Sequence, residues 1–141
     1  MAFTIKSLHE MDYDLCYAVI GHGGAELPVI LRAGHEQASS LSLEFSATVH
    51  FRSVIRFEIE REQNEGESGF FPTDDPAVSV IDGTVQSHLE IDPEYVLIDV
   101  CIQNGPELVT FCSEDLLNTI PPVGARLKAW VLGLSISPTF T

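Results

Sequence analysis

The sequence predicts a mainly β fold, a curved antiparallel sheet or barrel made as one domain over residues 1–141, and three observations predict it. In the stretch 43–60 the odd positions (Leu43, Phe45, Val49, Phe51, Phe57, Ile59) are apolar and the even ones (Glu44, Thr48, His50, Arg52, Glu58, Glu60) polar, with only Ser53 and Val54 out of step. That period of two marks a strand with one dry and one wet face. The same alternation returns in 85–91, 95–102 and 125–131. Turn chemistry separates these runs: Gly21-His22-Gly23-Gly24, Asp92-Pro93 and Asn104-Gly105-Pro106.

Each element follows from its residues. Residues 3–15 are ambiguous between a strand and an irregular lead-in. Cys16 to Ile20 and Leu27 to Leu31 read as a hairpin across a loop of several residues, and Pro28 suggests that its second strand is an edge. A helical turn fits 35–38. The stretch 43–60 would span about 55–60 Å at roughly 3.3 Å per residue, far beyond an ordinary strand, so a bend or bulge is expected at Ser53-Val54. Residues 61–77 form a long acidic loop rich in Gly and Pro, with Phe70-Phe71 packed against the core. Three strands, 78–91, 95–102 and 108–112, then make a meander, with Asp82-Gly83 as a possible bulge. Ser113-Glu114-Asp115 starts a short helix near 113–118, since a serine oxygen can accept from a free amide and acids favour the positive helix end. Pro121-Pro122 stops it, and a last strand runs from Ala125 to Ser137. No internal repeat is evident.

From residue 43 the order of long strand, three strands, short helix and strand is similar to an OB-type barrel, in which a short helix lies between the third and fourth strands. The resemblance rests on element order and implies an OB-like barrel. In this chain the helix would follow the fourth strand, and a hairpin precedes it all. A β-sandwich with one short helix is the alternative.

The chain carries seven bases against 21 acids, a net charge of −14. Fifteen of those acids and only Arg61 among the bases lie between Glu58 and Asp115, so the whole imbalance sits there. Such a stretch repels phosphate backbones and acidic membranes, which makes nucleic acid an unlikely partner. No apolar run is long enough to span a membrane, and no basic start precedes an apolar block, so a cytoplasmic location is expected. Cys16, Cys101 and Cys112 lack metal spacing and read as reduced thiols.

No nucleophile sits beside a base in a recognisable motif, and Gly21-His22-Gly23-Gly24 lacks the G-x-S-x-G that would accompany an esterase oxyanion loop. The chain therefore reads as non-catalytic, with no cofactor and no metal. The leading expectation is an acidic binding protein, immunity-, antitoxin- or inhibitor-like, whose negative surface complements a basic partner protein. Its contact set would be Glu60, Glu62, Glu65, Glu67, Asp74 and Asp75, with Phe70 and Phe71 as apolar anchors. One alternative is a small-ligand-binding or enzymatic barrel with a site near His50, His88 and Asp99, joined by Trp130. Another is a structural subunit of a homo-oligomeric assembly. Arg52, Arg56, Arg126 and Lys128 would form a local positive patch if they shared a face.

Overall fold

In the computed structural model, residues 2–60, 68–102 and 108–140 are described. Their alternating residues fold into the strands β1 (Ala2–Asp12), β2 (Leu15–His22), β3 (Ala25–Leu31), β4 (Phe45–His50), β5 (Ser53–Glu60), β6 (Gly69–Pro72), β7 (Val78–Asp92), β8 (Tyr95–Cys101), β9 (Leu108–Ser113), β10 (Arg126–Leu132) and β11 (Ser135–Pro138), with one short helix, α1 (His35–Ser39), between β3 and β4. The fold is mainly β, as expected. By contact density the chain divides into unit 1 (Met1–Arg56, Phe70–Val80 and Trp130–Thr141) and unit 2 (Phe57–Gly69 and Ile81–Ala129).

Unit 1 contains a closed barrel of order β1-β2-β3-β11-β4. β11 runs parallel to β3, while β1–β2, β1–β4, β2–β3 and β4–β11 pair antiparallel. Counted within the barrel the order is 1-2-3-5-4, with α1 between the third and fourth strands, which is an OB-like arrangement. The barrel thus begins at β1 rather than at residue 43, and the ambiguous segment 3–15 is its first strand. The inward residues are those the alternation selects: Phe3, Cys16, Ala18, Ile20, Leu27, Leu31 and Ile136 are all nearly inaccessible. The strand carrying Pro28 is not an edge. Pro28 faces Val19 of β2, and β11 joins β3 only from Ile30 onward, so the missing amide falls where no second neighbour asks for it.

The stretch 43–60 breaks at Phe51-Arg52 into β4 and β5, close to the expected bend. The predicted last strand also breaks, at Gly133, whose φ of 69° separates β10 from β11. Residues 113–120 form turns instead of the expected helix. Ser113 Oγ accepts from the Leu116 amide at 3.3 Å as anticipated. The Leu117 and Thr119 amides then bond three residues back, to Glu114 and Leu116. Pro121 ends the segment before a four-residue ladder can propagate. Within the expected loop 61–77, residues 61–67 lie outside the described ones, and β6 pairs with β7.

The second sheet has the order β5-β10-β7-β8-β9. Its β7–β8 hairpin repeats the first hairpin of the chain at a fixed offset. In β1–β2 the partners are Thr4 with Gly21, Ile5 with Ile20, Ser7 with Val19 and Glu10 with Cys16, and the register slips at Ile5/Ser7 and Glu10/Asp12. In β7–β8 they are Thr84 with Cys101, Val85 with Val100, Ser87 with Asp99 and Glu90 with Val96, and the slips fall at Val85/Ser87 and Glu90/Asp92. Every position differs by 80 (84 − 4), including both irregularities. Buried residues follow the same offset in the hairpin, where Cys16, Ala18 and Ile20 match Val96, Ile98 and Val100. In the next strands the offset is 82 (111 − 29): Val29 matches Phe111, and Phe45 and Ala47 match Leu127 and Ala129. The chain therefore contains two copies of one β motif.

The fifth strand of each copy comes from the opposite half of the sequence. β11, which follows the second copy, pairs with β4 and β3 of the first. β5, which follows the first copy, lies next to β10. Its Phe57 packs on Phe111 with ring centroids 5.7 Å apart, and Phe111 of β9 is the counterpart of Val29 of β3, the strand that β11 joins in unit 1.

Gly83 is the counterpart of Phe3, and it has no room for a side chain. A Cβ there would collide with Val100 Cγ1, lie 2.6 Å from the Cys101 carbonyl oxygen and 2.9 Å from Ile102 Cδ1. Gly83→Ala is expected to cost about 1–3 kcal/mol through overpacking. The check is a lower urea midpoint at unchanged slope.

Candidate functional site

The β2–β3 turn and the start of β1 build a cleft of 310 Å³ in unit 1. Gly23 and Gly24 have φ of 59° and 87°, and His22 pairs with Ala25 across them. A two-residue turn with both φ values positive suits only glycine-like residues and matches the twist of the flanking strands. The loop is thus tighter than the sequence suggested. It sets His22 at the end of β2 and Glu26 near the start of β3, both lining the cleft.

Gly21 makes room for the other wall. It pairs with Thr4, and a Cβ on it would stand 2.6 Å from Thr4 Oγ1 and 3.0 Å from Lys6 Cε. The Lys6 stem therefore lies over bare backbone at Gly21. Glu44, just before β4, lines the same cleft. Among the described residues, Lys6, Glu26 and Glu44 have no ion-pair partner.

His22 is held by its neighbours. Its ring lies 5.0 Å from Phe3 and 5.2 Å from Phe70, centroid to centroid. Nδ1 is 3.0 Å from the Ala2 carbonyl oxygen. A carbonyl only accepts, so Nδ1 carries the hydrogen, and in the neutral ring Nε2 keeps its lone pair. Nε2 is buried with no partner among the described residues.

The residues singled out from sequence fall elsewhere. Glu62, Glu65 and Glu67 lie outside the described residues. Phe70 is 1% exposed, packed against Phe3 and His22, and Phe71 is half-buried. Asp74 and Asp75 are exposed, and Asp75 Oδ1 accepts from the Ala77 amide at 2.9 Å to shape its turn. In unit 2, Glu60 is 3.5 Å from Lys128.

Of the residues expected near one site, His50, His88 and Asp99, the last two are not brought together. Asp99 pairs with Ser87 and Thr110, and both hydroxyls donate to it, at 3.0 and 2.6 Å. His88 pairs with Ile98, the residue before Asp99. Paired residues share a face and successive ones alternate, so His88 and Asp99 point to opposite sides of the sheet. His50 and Trp130 belong to unit 1. In that unit Arg56 stacks on Trp130, 3.8 Å from the ring centroid.

The proposed positive patch is also spent on neighbours. Besides Arg56 on Trp130 and Lys128 on Glu60, Arg126 meets Asp82 at 3.0 Å, and those two side chains are only 11% and 8% exposed. Burial pushes the Asp82 carboxyl up, and Arg126 beside it draws it back only in part. Burial likewise raises the Cys16 thiol, helped by the charge of Glu10. Among the described residues no group of three His, Cys, Asp or Glu is placed to hold a metal ion, and no helix is long and apolar enough to cross a membrane. Nothing local in the sequence marks Lys6 or Thr4, and the glycine-flanked His22 is the signal there, read as turn chemistry.

No family model and no curated protein matches this chain. Among solved structures it is similar to the cytoplasmic molybdate-binding protein ModG in a form with molybdate bound, with a TM-score of 0.54 and 15% identity over 96% of this chain and 92% of that one. At that identity the likeness is one of fold.

Proposed function

We propose that this protein binds a small polar ligand in the cleft formed by β1 and the β2–β3 turn of unit 1. The observation that carries the reading is the convergence there of Lys6, Glu26 and Glu44, none of them engaged in an ion pair, around a 310 Å³ space floored by Gly21. Polar groups placed in a concavity and unspent on the fold are what a ligand site requires. The fold likeness to a small-ligand-binding protein is consistent with it. A docking role for the acidic stretch has less geometric support, because Phe70 is buried, Asp75 shapes a turn and Glu60 sits beside Lys128.

The test is an amide-resolved NMR titration of the labelled chain with amino acids, dicarboxylates, sulfate and molybdate. Saturable shifts confined to residues 2–6, 21–26 and 44–46 are expected for at least one compound. Lys6→Gln should weaken that compound about 10-fold, the worth of one charge-assisted hydrogen bond. Shifts that fall only outside the cleft, or none at all, would refute the reading.

A further inference from the structure

We infer that the ligand of this cleft is a small zwitterion with a cationic excess, of the basic amino-acid type, carrying two cationic nitrogen groups and one carboxylate. The inference rests on the cleft reading above and names its substrate class.

The first observation is the charge inventory. The cleft presents one ammonium, Lys6, and two carboxylates, Glu26 and Glu44, with no ion-pair partners among the described residues. A bare oxyanion would find one favourable charge and two repulsive ones, in a chain whose net charge is −14. A molecule with two cations and one carboxylate meets all three groups with the opposite sign.

The second observation comes from the duplication. Ala2 and Ser46 are direct partners on β1 and β4, and Phe3 meets Phe45. In unit 2 Val85, the counterpart of Ile5, exchanges backbone hydrogen bonds with Gly124 and Ala125, which sets β10 at an offset of 82 from β4. The counterparts of Ala2 and Glu44 are therefore Asp82 and Arg126, the carboxylate and guanidinium that pair at 3.0 Å. The second copy of the motif thus fills this place with its own carboxylate–guanidinium pair. The first copy has a methyl, Ala2, and a carboxylate, Glu44, at this place, and both line the cleft. A ligand ammonium or guanidinium would give Glu44 the opposite charge that Asp82 gives Arg126 in the other copy. The volume of 310 Å³ is at the lower end for small-molecule sites, which suits a molecule of amino-acid size.

The experiment uses the full chain, with calorimetry and amide NMR run against L-arginine, L-lysine, L-glutamate, guanidinium chloride, sodium acetate and sodium molybdate. L-Arginine or L-lysine should bind and move residues 2–6, 21–26 and 44–46. L-Glutamate and each single-charge fragment should bind at least 10-fold more weakly. Lys6→Gln and Glu44→Gln, both at exposed positions, should each weaken the basic amino acid about 10-fold while leaving the remaining amide spectrum in place. Molybdate, acetate or L-glutamate binding in the cleft more tightly than both basic amino acids would overturn the zwitterion assignment and leave the small-ligand reading standing. Shifts from none of the six compounds would overturn the assignment too, and the broader panel above would then decide separately whether the cleft binds anything.

Discussion

Asp82→Ala is expected to lower the unfolding free energy by about 3–5 kcal/mol, the usual result of removing one member of a buried ion pair. The Asp82 and Arg126 side chains are largely buried, so water can take over the role of the lost carboxylate only in small part. Replacing both partners, as in Asp82→Ala with Arg126→Met, should recover a large part of that loss, because neither charge is then buried. Urea denaturation of the two variants beside the parent chain measures this, and a double variant no better than the single one would contradict it. A pH effect accompanies it. Because burial raises the Asp82 carboxyl, the folded chain keeps a proton there in a range where the unfolded chain has lost it. Stability from this residue therefore falls as pH rises from the ordinary carboxylate value, about 4, through the raised one, and is constant above. The stability gap between the parent chain and Asp82→Asn should narrow across that window.

Phe3→Ala should cost about 3–5 kcal/mol, the range for deleting a large buried aromatic side chain. Phe3 is 1% exposed and touches three other rings, those of His22, Phe45 and Phe70. The lost volume lies next to the cleft, so the same variant should shift the His22 ring resonances, whereas Phe111→Ala in unit 2 should lower stability without moving them. Calorimetric unfolding and the histidine ring spectrum are the two readouts. Retention of both the midpoint and the His22 signals would show that Phe3 is not part of the core.

The strands were legible because alternation is imposed by burial: Val96, Ile98 and Val100 are sealed while their neighbours in β8 are less so, and the sequence displays that pattern directly. The break in the 43–60 stretch was legible for the same reason, since Ser53 and Val54 disturb both faces. The duplication was not, because the copies preserve side-chain class rather than identity. Ala18 answers to Ile98, Val29 to Phe111 and Phe3 to Gly83, and only register, with its two matching irregularities, makes the pairing plain. The helix was misplaced because Ser113 and Gly34 both offer capping chemistry. Only the path after them decides, and the run from Glu114 is cut short by Pro121. The cleft was hidden because its groups meet through strand pairing. Lys6 and Gly21 are fifteen residues apart, and nothing local marks them as neighbours.

The exchange of closing strands has a consequence for synthesis. The barrel that begins at Ala2 is closed by Ser135–Pro138, so its two ends can meet only after residue 138 has left the ribosome. Until then Ile30 and Leu31 offer an unzipped seam, and pairing over so long a separation is slow. In that interval the unpaired edge is open to pairing with other strands.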